Sequence, residues 1–535
     1  MRNVKVNIHV GFSETEEPVT ENDGVERMDD GSFRLILSQQ DEFNIDRLEN
    51  ALLQTSYPAF RVALSEHLEQ ASKKKACQEV ELADVGSRIE EHPRPYRVEG
   101  EVGRFTFKTY DVKGENNEAI FTGIGLFPTH KGRQWYPTCG FKEIALMYGA
   151  AQRSYRQTIK VFNRSRYQEV GGTPLNTLRD VTQSEGLKVL DFLTRKATGI
   201  FRKLGFSPEG VPQAECEAIK AIDNIAYPNK KTLRPALSAV CADMAKKGLS
   251  AEDIKKVHRT IVTNKAYEQA GQCVYVHIDD VGVKEQKQHR DKKGVAKEPN
   301  GNKNDAEKDK RPTVQNTVAR IEHGGKGFTL TGRSVMEVLT FVLAFLLNNQ
   351  LLKLNIKFCT DGQRSLQEAI IGFFSWHKLV SLLLDWFHVV KKLKEDLSHA
   401  CRGREIRNRH LKQLTTFLWF GLVDKAQAYL ATIPKEDIKD SKAIERLIGY
   451  LERNRKWIPC YAMRSKLKLP NSSNPAERCN NLVTANRQKH HGMSWSENGS
   501  YALTALNAVT ANNATKQWVE DLIIPFTLVG KAKDA

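Results

Sequence analysis

Three acidic side chains stand where the chain's patterning can gather them. Asp279, with Asp280 beside it, follows the apolar, β-branched run Cys273-Val274-Tyr275-Val276-His277-Ile278. That run reads as a buried strand, so it delivers carboxylates at its C-terminal tip. Asp361 follows a second strand-like run, Leu354-Asn355-Ile356-Lys357-Phe358-Cys359-Thr360, and precedes Gly362. Glu477 is the third available acid, at the start of a helix opened by Asn474-Pro475-Ala476. Carboxylates brought together repel unless cations lie between them, and hard oxygen ligands suit Mg²⁺ or Mn²⁺. Two such ions roughly 3.5 to 4 Å apart activate the attacking oxygen and stabilise the leaving oxygen of an in-line phosphodiester displacement.

Each acid also has a plainer role. Asp279 and Asp280 point to opposite faces of a strand, so only one of them can serve, and position favours Asp279. Asp361 before Gly362 is a common turn pair. Asn474, Pro475 and Glu477 suit the N-cap, first and third positions of a helix, a capping arrangement worth about 1 kcal/mol. Asp385 and His388 lie one helical turn apart and share a face, where they orient each other or a neighbouring group.

The elements that must position these groups follow from periodicity. After the first strand, residues 284–312 are charged and nearly free of large apolar groups, which reads as a mobile, solvated loop. Strands follow at 314–321 and 328–330, joined by His323-Gly324-Gly325 as a hairpin turn. A buried helix is expected over 335–348, the Asp361 strand next, a helix over 365–374, a strand over 379–384, and a helix opened by Asp385-Trp386-Phe387-His388. Three strands, a helix, a fourth strand and a fifth are the order of an RNase H-like α/β fold with a mixed five-stranded sheet. Strands one and four lie side by side there, so Asp279 and Asp361 would meet although 82 positions separate them.

Charge narrows the partners. The 535 residues hold 81 Lys+Arg against 64 Asp+Glu, a net +17, which favours a polyanion. The first 100 residues hold 20 Asp and Glu against 12 Lys and Arg, so the basic surface lies further on. The acidic first 30 residues lack the periodic apolar positions of a core. The nine cysteines form no C-x-x-C pair and read as reduced, buried thiols. The longest apolar run, 335–347, contains Glu337 and is shorter than the roughly 20 residues that span a bilayer, so a soluble intracellular protein is expected.

Upstream, residues 141–166 keep helical spacing through Ile144, Met147, Tyr148, Ala151, Tyr155, Ile159 and Phe162. Gly171-Gly172 then breaks the chain, Thr173 is placed to N-cap and Pro174 to enter the first turn of a second helix. A helix-turn-helix over about 141–195 would set Asn176, Thr177 and Arg179 in a major groove; an ordinary helical pair explains the same pattern. The expected division is 1–130, of unknown role and partly disordered; 131–270, helical and DNA-binding; 271–394, the first part of the catalytic core; 395–470, a helical insertion; and 471–535, the C-terminal core helices.

Four segments carry a family resemblance: VYVHIDD at the first acid, FCTDGQRSL at the second, LLDWFHVVKKL after the fifth strand, and NPAERCNNLVTANRQKHHGMSWS around Glu477. Over about 140–520 the chain resembles the DDE transposases of bacterial insertion sequences, of the Kra-type and Lre-type groups near the Mutator-like and hAT branches. The resemblance implies a metal-dependent transposase acting on double-stranded DNA at terminal inverted repeats and at a target. It implies Asp279, Asp361 and Glu477 as catalytic metal ligands for two Mg²⁺ (or Mn²⁺), and Asp385 and His388 as the family's motif after the fifth strand, supporting the site with Asp280. Arg478, Arg487, Lys489, Gly492, Met493 and Trp495 match a segment expected to approach DNA near the cut; Trp495 serves equally as a core aromatic or a base-stacking platform. A homodimer or higher assembly, cytoplasmic and nucleoid-associated, goes with that reading. The chain departs from the family in carrying Asn474-Pro475-Ala476 where relatives have Gly-Ser-Gly, and in its long loop after the first strand. Two other readings are an RNase H-like nuclease that hydrolyses without joining and a transposase-derived DNA-binding protein without cutting activity.

Overall fold

The computed structural model describes residues 8–13, 25–27, 33–38, 45–83, 86–150, 154–213, 216, 228–263, 267, 271–286, 312–472, 474–489 and 493–530. Most of the acidic start and residues 287–311 of the basic loop lie outside them. The chain is mixed α/β and divides into two compact units, Met1–Ser184 with Thr515–Leu522, and Glu185–Ala514 with Ile523–Ala535.

In the first unit the 38-residue helix Ile45–Leu82 packs against the strand Gly103–Thr109. That strand pairs antiparallel with Arg94–Gly100, which takes Trp135–Pro137 as a parallel neighbour. Alternation places Tyr96 opposite Phe107 and Val98 opposite Phe105, and these four form the local core. On the same strand Glu99, fully buried, is ion-paired with Arg104 at 2.9 Å and Arg97 at 3.3 Å. The Thr173 hydroxyl, expected as a helix cap, instead donates to Glu99 Oε2 at 2.6 Å. A satisfied buried carboxylate outweighs a cap that water can replace. The Pro174 carbonyl therefore begins the helix, accepting from the Leu178 amide, and Leu175–Leu204 follows. The expected upstream helix is divided into Cys139–Ile144, a π-helical turn Ala145–Ala150, and Tyr155–Ser165; Ala151 lies outside the described residues.

The second unit is built on a six-stranded sheet. Its strands are β1 (Cys273–Lys284), β2 (Thr313–His323), β3 (Lys326–Gly332), β4 (Asn355–Thr360), β5 (Val380–Leu384) and β6 (Val529–Gly530), in the spatial order β5-β4-β1-β2-β3-β6. β1, β2 and β3 form an antiparallel meander, whereas β4 pairs parallel with β1 and β5 parallel with β4. Five strands were expected. The sixth, antiparallel to β3, has two residues, too few to show any alternation. Between β2 and β3, Gly324 and Gly325 take φ of +58° and +76°, the left-handed pair that a tight two-residue hairpin turn requires.

The apolar helix Val335–Asn348 has the expected bounds and is capped by Ser334, whose hydroxyl accepts from the Glu337 amide. Phe345 on it stacks on Phe328 of β3 with ring centroids 4.6 Å apart, and Phe526 meets both edge-on. After β5 come the helices Trp386–Ala400, Arg404–Trp419, Val423–Ala431, Ser441–Asn454 and Tyr461–Lys466. They share one apolar core with Lys230–Lys246 and Ala251–Thr263, through Val240, Met244 and Val257 against Leu393, Leu414, Phe417 and Leu447. All nine cysteines are free; Cys77 and Cys139 are exposed rather than buried as expected. Among the described residues no helix is long and apolar enough to cross a membrane.

The stacked ring of Phe345 anchors the second unit. Phe345→Ala is expected to lower its stability by about 3–5 kcal/mol through the cavity left behind, with Phe345→Leu costing less; denaturant unfolding of the two variants beside the unaltered protein measures both.

Candidate active site

Register sets the positions of the acids. His277 pairs with Cys359 across β1 and β4, and Cys359 with Leu383 across β4 and β5. Two residues on, still on the same face, come Asp279, Asp361 and Asp385. Three acids are therefore level across three adjacent parallel strands: Asp361 and Asp385 directly follow the last residues of β4 and β5, whereas Asp279, expected at a strand tip, lies within β1, which runs on to Lys284 because its second half stays paired with β2. Asp385 N–H donates to the Thr360 carbonyl at 3.0 Å, continuing the ladder to the row itself.

Each acid is held by its own neighbourhood. Asp279 Oδ1 accepts from the Asp280 amide at 2.9 Å and Oδ2 from Asn480 Nδ2 at 2.7 Å. Asp280, on the other face, accepts from the Thr317 hydroxyl at 2.5 Å. Asp361 Oδ1 accepts from the Gln363 amide at 2.8 Å, so its turn role is real and coexists with its place in the row. Gly362 takes φ of +92°, and a Cβ there would lie 2.9 Å from Leu384 Cδ1 and 3.0 Å from the Tyr450 hydroxyl, so glycine is required on both counts. Asp385, fully buried, caps its helix by accepting from the Phe387 amide at 2.7 Å, and its Oδ2 lies 3.3 Å from His388 Nδ1.

The electrostatics are those of a site short of positive charge. Burial, then the charge of Asp361, pushes the Asp279 carboxyl up to about 6, while His388 acts in the opposite sense. Burial also raises Asp280, against the Thr317 hydrogen bond. For His388 burial favours the neutral ring, but Asp385, Asp361 and Asp279 together outweigh it and raise the imidazole. Tyr450, from the helical layer, is raised by burial and by Asp361.

Glu477 lies, partly exposed, on the helix Asn474–Asn480, which packs on β1 and β2. It was expected to complete the acid set. Among the described residues, however, no three His, Cys, Asp or Glu side chains stand together as a group able to hold a metal ion. The side chain that this helix turns to Asp279 is Asn480, three residues on and so about 60° round the helix from Glu477. A π-helical segment, Asn481–Ala485, follows directly. Sequence reasoning passed over Asn480, although its i+3 spacing from Glu477 was a usable signal. Tyr450, 89 residues from Asp361, left none.

The residues expected at DNA divide by exposure. Asn176, Arg179, Arg478 and Lys489 are exposed. Thr177 is buried, because it falls on the inward face with Leu178 and Val181. Arg487 and Trp495 are interior, not outward-facing: the guanidinium lies 4.9 Å from the indole centroid, and Trp495 Nε1 donates to the Gln488 carbonyl at 3.3 Å. The reason is backbone pairing, since the Trp495 amide donates to the Lys284 carbonyl and its own carbonyl accepts from Gln286, which pins the segment to the end of β1. Met493 is partly exposed, and Gly492 lies outside the described residues.

Without divalent cations the charged Asp279 opposes folding. Its raised carboxyl binds a proton more tightly folded than unfolded, so this contribution to stability is present below about pH 4 and is lost as pH rises through about 6. Asp279→Asn in chelator is therefore expected to melt above the unaltered protein at pH 7.5, with the gap closing toward pH 4; thermal melts across that range check it. Comparison with protein-family models, curated proteins and solved structures finds no match to this chain.

Proposed function

We propose that the chain is a DNA transposase with an RNase H-like core, cutting and joining DNA where the tip of β4 lies beside Asp279 of β1. The observation that carries this reading is the level row of Asp279, Asp361 and Asp385 on a sheet whose first five strands run β5-β4-β1-β2-β3 with β2 reversed. The donor set fits a hard divalent cation: two neighbouring carboxylates, one of them held protonated to about pH 6 by burial and its neighbour, are what such an ion relieves. Asp279 and Asp361 would hold Mg²⁺ or Mn²⁺, with Glu477 reaching the site from the adjoining helix. Bound there as a pair, the ions would activate the attacking oxygen and stabilise the leaving oxygen of a phosphodiester displacement.

The chain's own groups prepare that chemistry. Asp385 fixes the start of its helix and, with Asp361 and Asp279, raises the His388 imidazole against the effect of burial, which favours a positive charge beside the acids. The helix carrying Glu477 is docked to Asp279 through Asn480. Exposed Asn176, Arg179, Arg478 and Lys489, on a chain of net charge +17, supply contacts to the phosphate backbone. Hydrolysis first frees a 3′-hydroxyl at the element's terminal inverted repeat, and that hydroxyl then attacks target DNA, in a homodimer or larger assembly in the cytoplasm.

Purified protein incubated with end-bearing DNA, Mg²⁺ and a target plasmid is expected to yield joined products. Asp279→Asn, Asp361→Asn and Glu477→Gln are each expected to lower joining by about 10³-fold or more while leaving DNA binding intact. Nicks without joining would favour a nuclease, binding alone a DNA-binding protein, and full joining by Glu477→Gln would reduce that residue to a helix cap.

A further inference from the structure

Among the described residues, three buried asparagines use both ends of the amide. Asn512 Nδ2 donates to the Thr329 carbonyl at 2.7 Å and Oδ1 accepts from the Thr329 amide at 2.8 Å. Asn316 donates to Ser500 and accepts from Thr504, and Asn454 donates to Tyr450 and accepts from Gln367. Asn480 differs from these three, as does the part-buried Asn471, which donates to the Tyr461 carbonyl rather than to a carboxylate and has its own Oδ1 unpaired. Asn480 is 6 % exposed and its Nδ2 donates to Asp279 Oδ2, yet its buried Oδ1 has no hydrogen-bond partner among the described residues. A purely structural tether gains nothing from an orphaned acceptor, because a buried carbonyl without a donor keeps its desolvation cost.

The position supplies a reason for the orphan. Asn480 reaches the one carboxylate that also feels Asp361, His388 and Asp280. Asparagine carbonyls join carboxylates as oxygen ligands of hard divalent cations, and they add no charge to a place already crowded with it. The two ends of an amide are nearly the same size, so a half-turn of the side chain exchanges donor for acceptor without moving the backbone.

We propose that Asn480 is a neutral oxygen ligand of the divalent-cation site, an assignment that rests on the acid row being that site. Without the ion, its NH₂ group occupies Asp279 Oδ2 and keeps the helix of Glu477 docked to β1. With the ion, the amide turns and its carbonyl oxygen joins Asp279 and Asp361. No covalent bond of the chain is made or broken; the Asn480–Asp279 hydrogen bond is exchanged for contacts to the ion, and any proton still on Asp279 leaves to solvent.

The test is Mn²⁺ binding to the chelator-treated full-length protein, followed by electron paramagnetic resonance and by the shift in melting temperature, which needs no DNA and no activity. Asn480→Ala is expected to weaken Mn²⁺ binding about tenfold or more. Asn480→Asp, which restores an oxygen but cannot donate to Asp279, is expected to bind Mn²⁺ at least as tightly as the unaltered protein while melting lower without metal. Mn²⁺ binding by Asn480→Ala equal to the unaltered protein overturns the proposal. So does equal weakening in Asn480→Ala and Asn480→Asp, since a tether acting through its N–H is lost in both. Asp361→Asn separates the two levels: should it bind Mn²⁺ undiminished, or the unaltered protein bind none, the cation site falls and this assignment with it.

Discussion

The parallel pairing of β4 between β1 and β5 is the constraint on which the site depends. One register, His277 with Cys359 and Cys359 with Leu383, sets Asp279 within β1 level with the acids that follow β4 and β5 and leaves three acids in a row. A slip of one residue in either pairing would send an acid to the opposite face. The arrangement works against the electrostatics, since like charges on neighbouring strands repel and burial deepens the cost. The apolar sheet and its helices hold the row in place, and no attraction among the acids themselves does.

What surrounds the row moderates that cost locally. Asp385, one turn earlier, raises the His388 imidazole, and Asn480 brings an amide donor to Asp279. Several groups serve structure and chemistry at once. Asp385 is a helix cap as well as the partner of His388, Asp361 closes a turn as well as joining the row, and Gly362 admits both Leu384 and Tyr450 beside the turn. A dual role explains why the plain and the chemical readings of Asp361 cannot be separated from residue pattern: the same carboxylate satisfies both.

The helices of the second unit add a feature that periodicity does not show. Lys230–Lys246 and Ala251–Thr263, which precede β1, pack into one apolar core with the helices that follow β5. Amphipathic spacing marks a face as buried but does not say against what, because any apolar face matches any other in the exclusion of water.

Local chemistry alone determined the existence of the strands β1 to β5, the apolar helix Val335–Asn348, the hairpin at Gly324-Gly325 and the acid at the tip of β4, but not that β1 runs past Asp279 to Lys284. These follow from alternation, β-branching and turn residues that act over a few positions. Only the tertiary structure decided that Asn480 donates to Asp279, that Thr173 serves Glu99 instead of a helix end, and that Arg487 and Trp495 turn inward. Helix rotation, a buried carboxylate's need for donors and backbone pairing at a strand end are set by contacts between residues tens to hundreds of positions apart, and no local pattern encodes such distances.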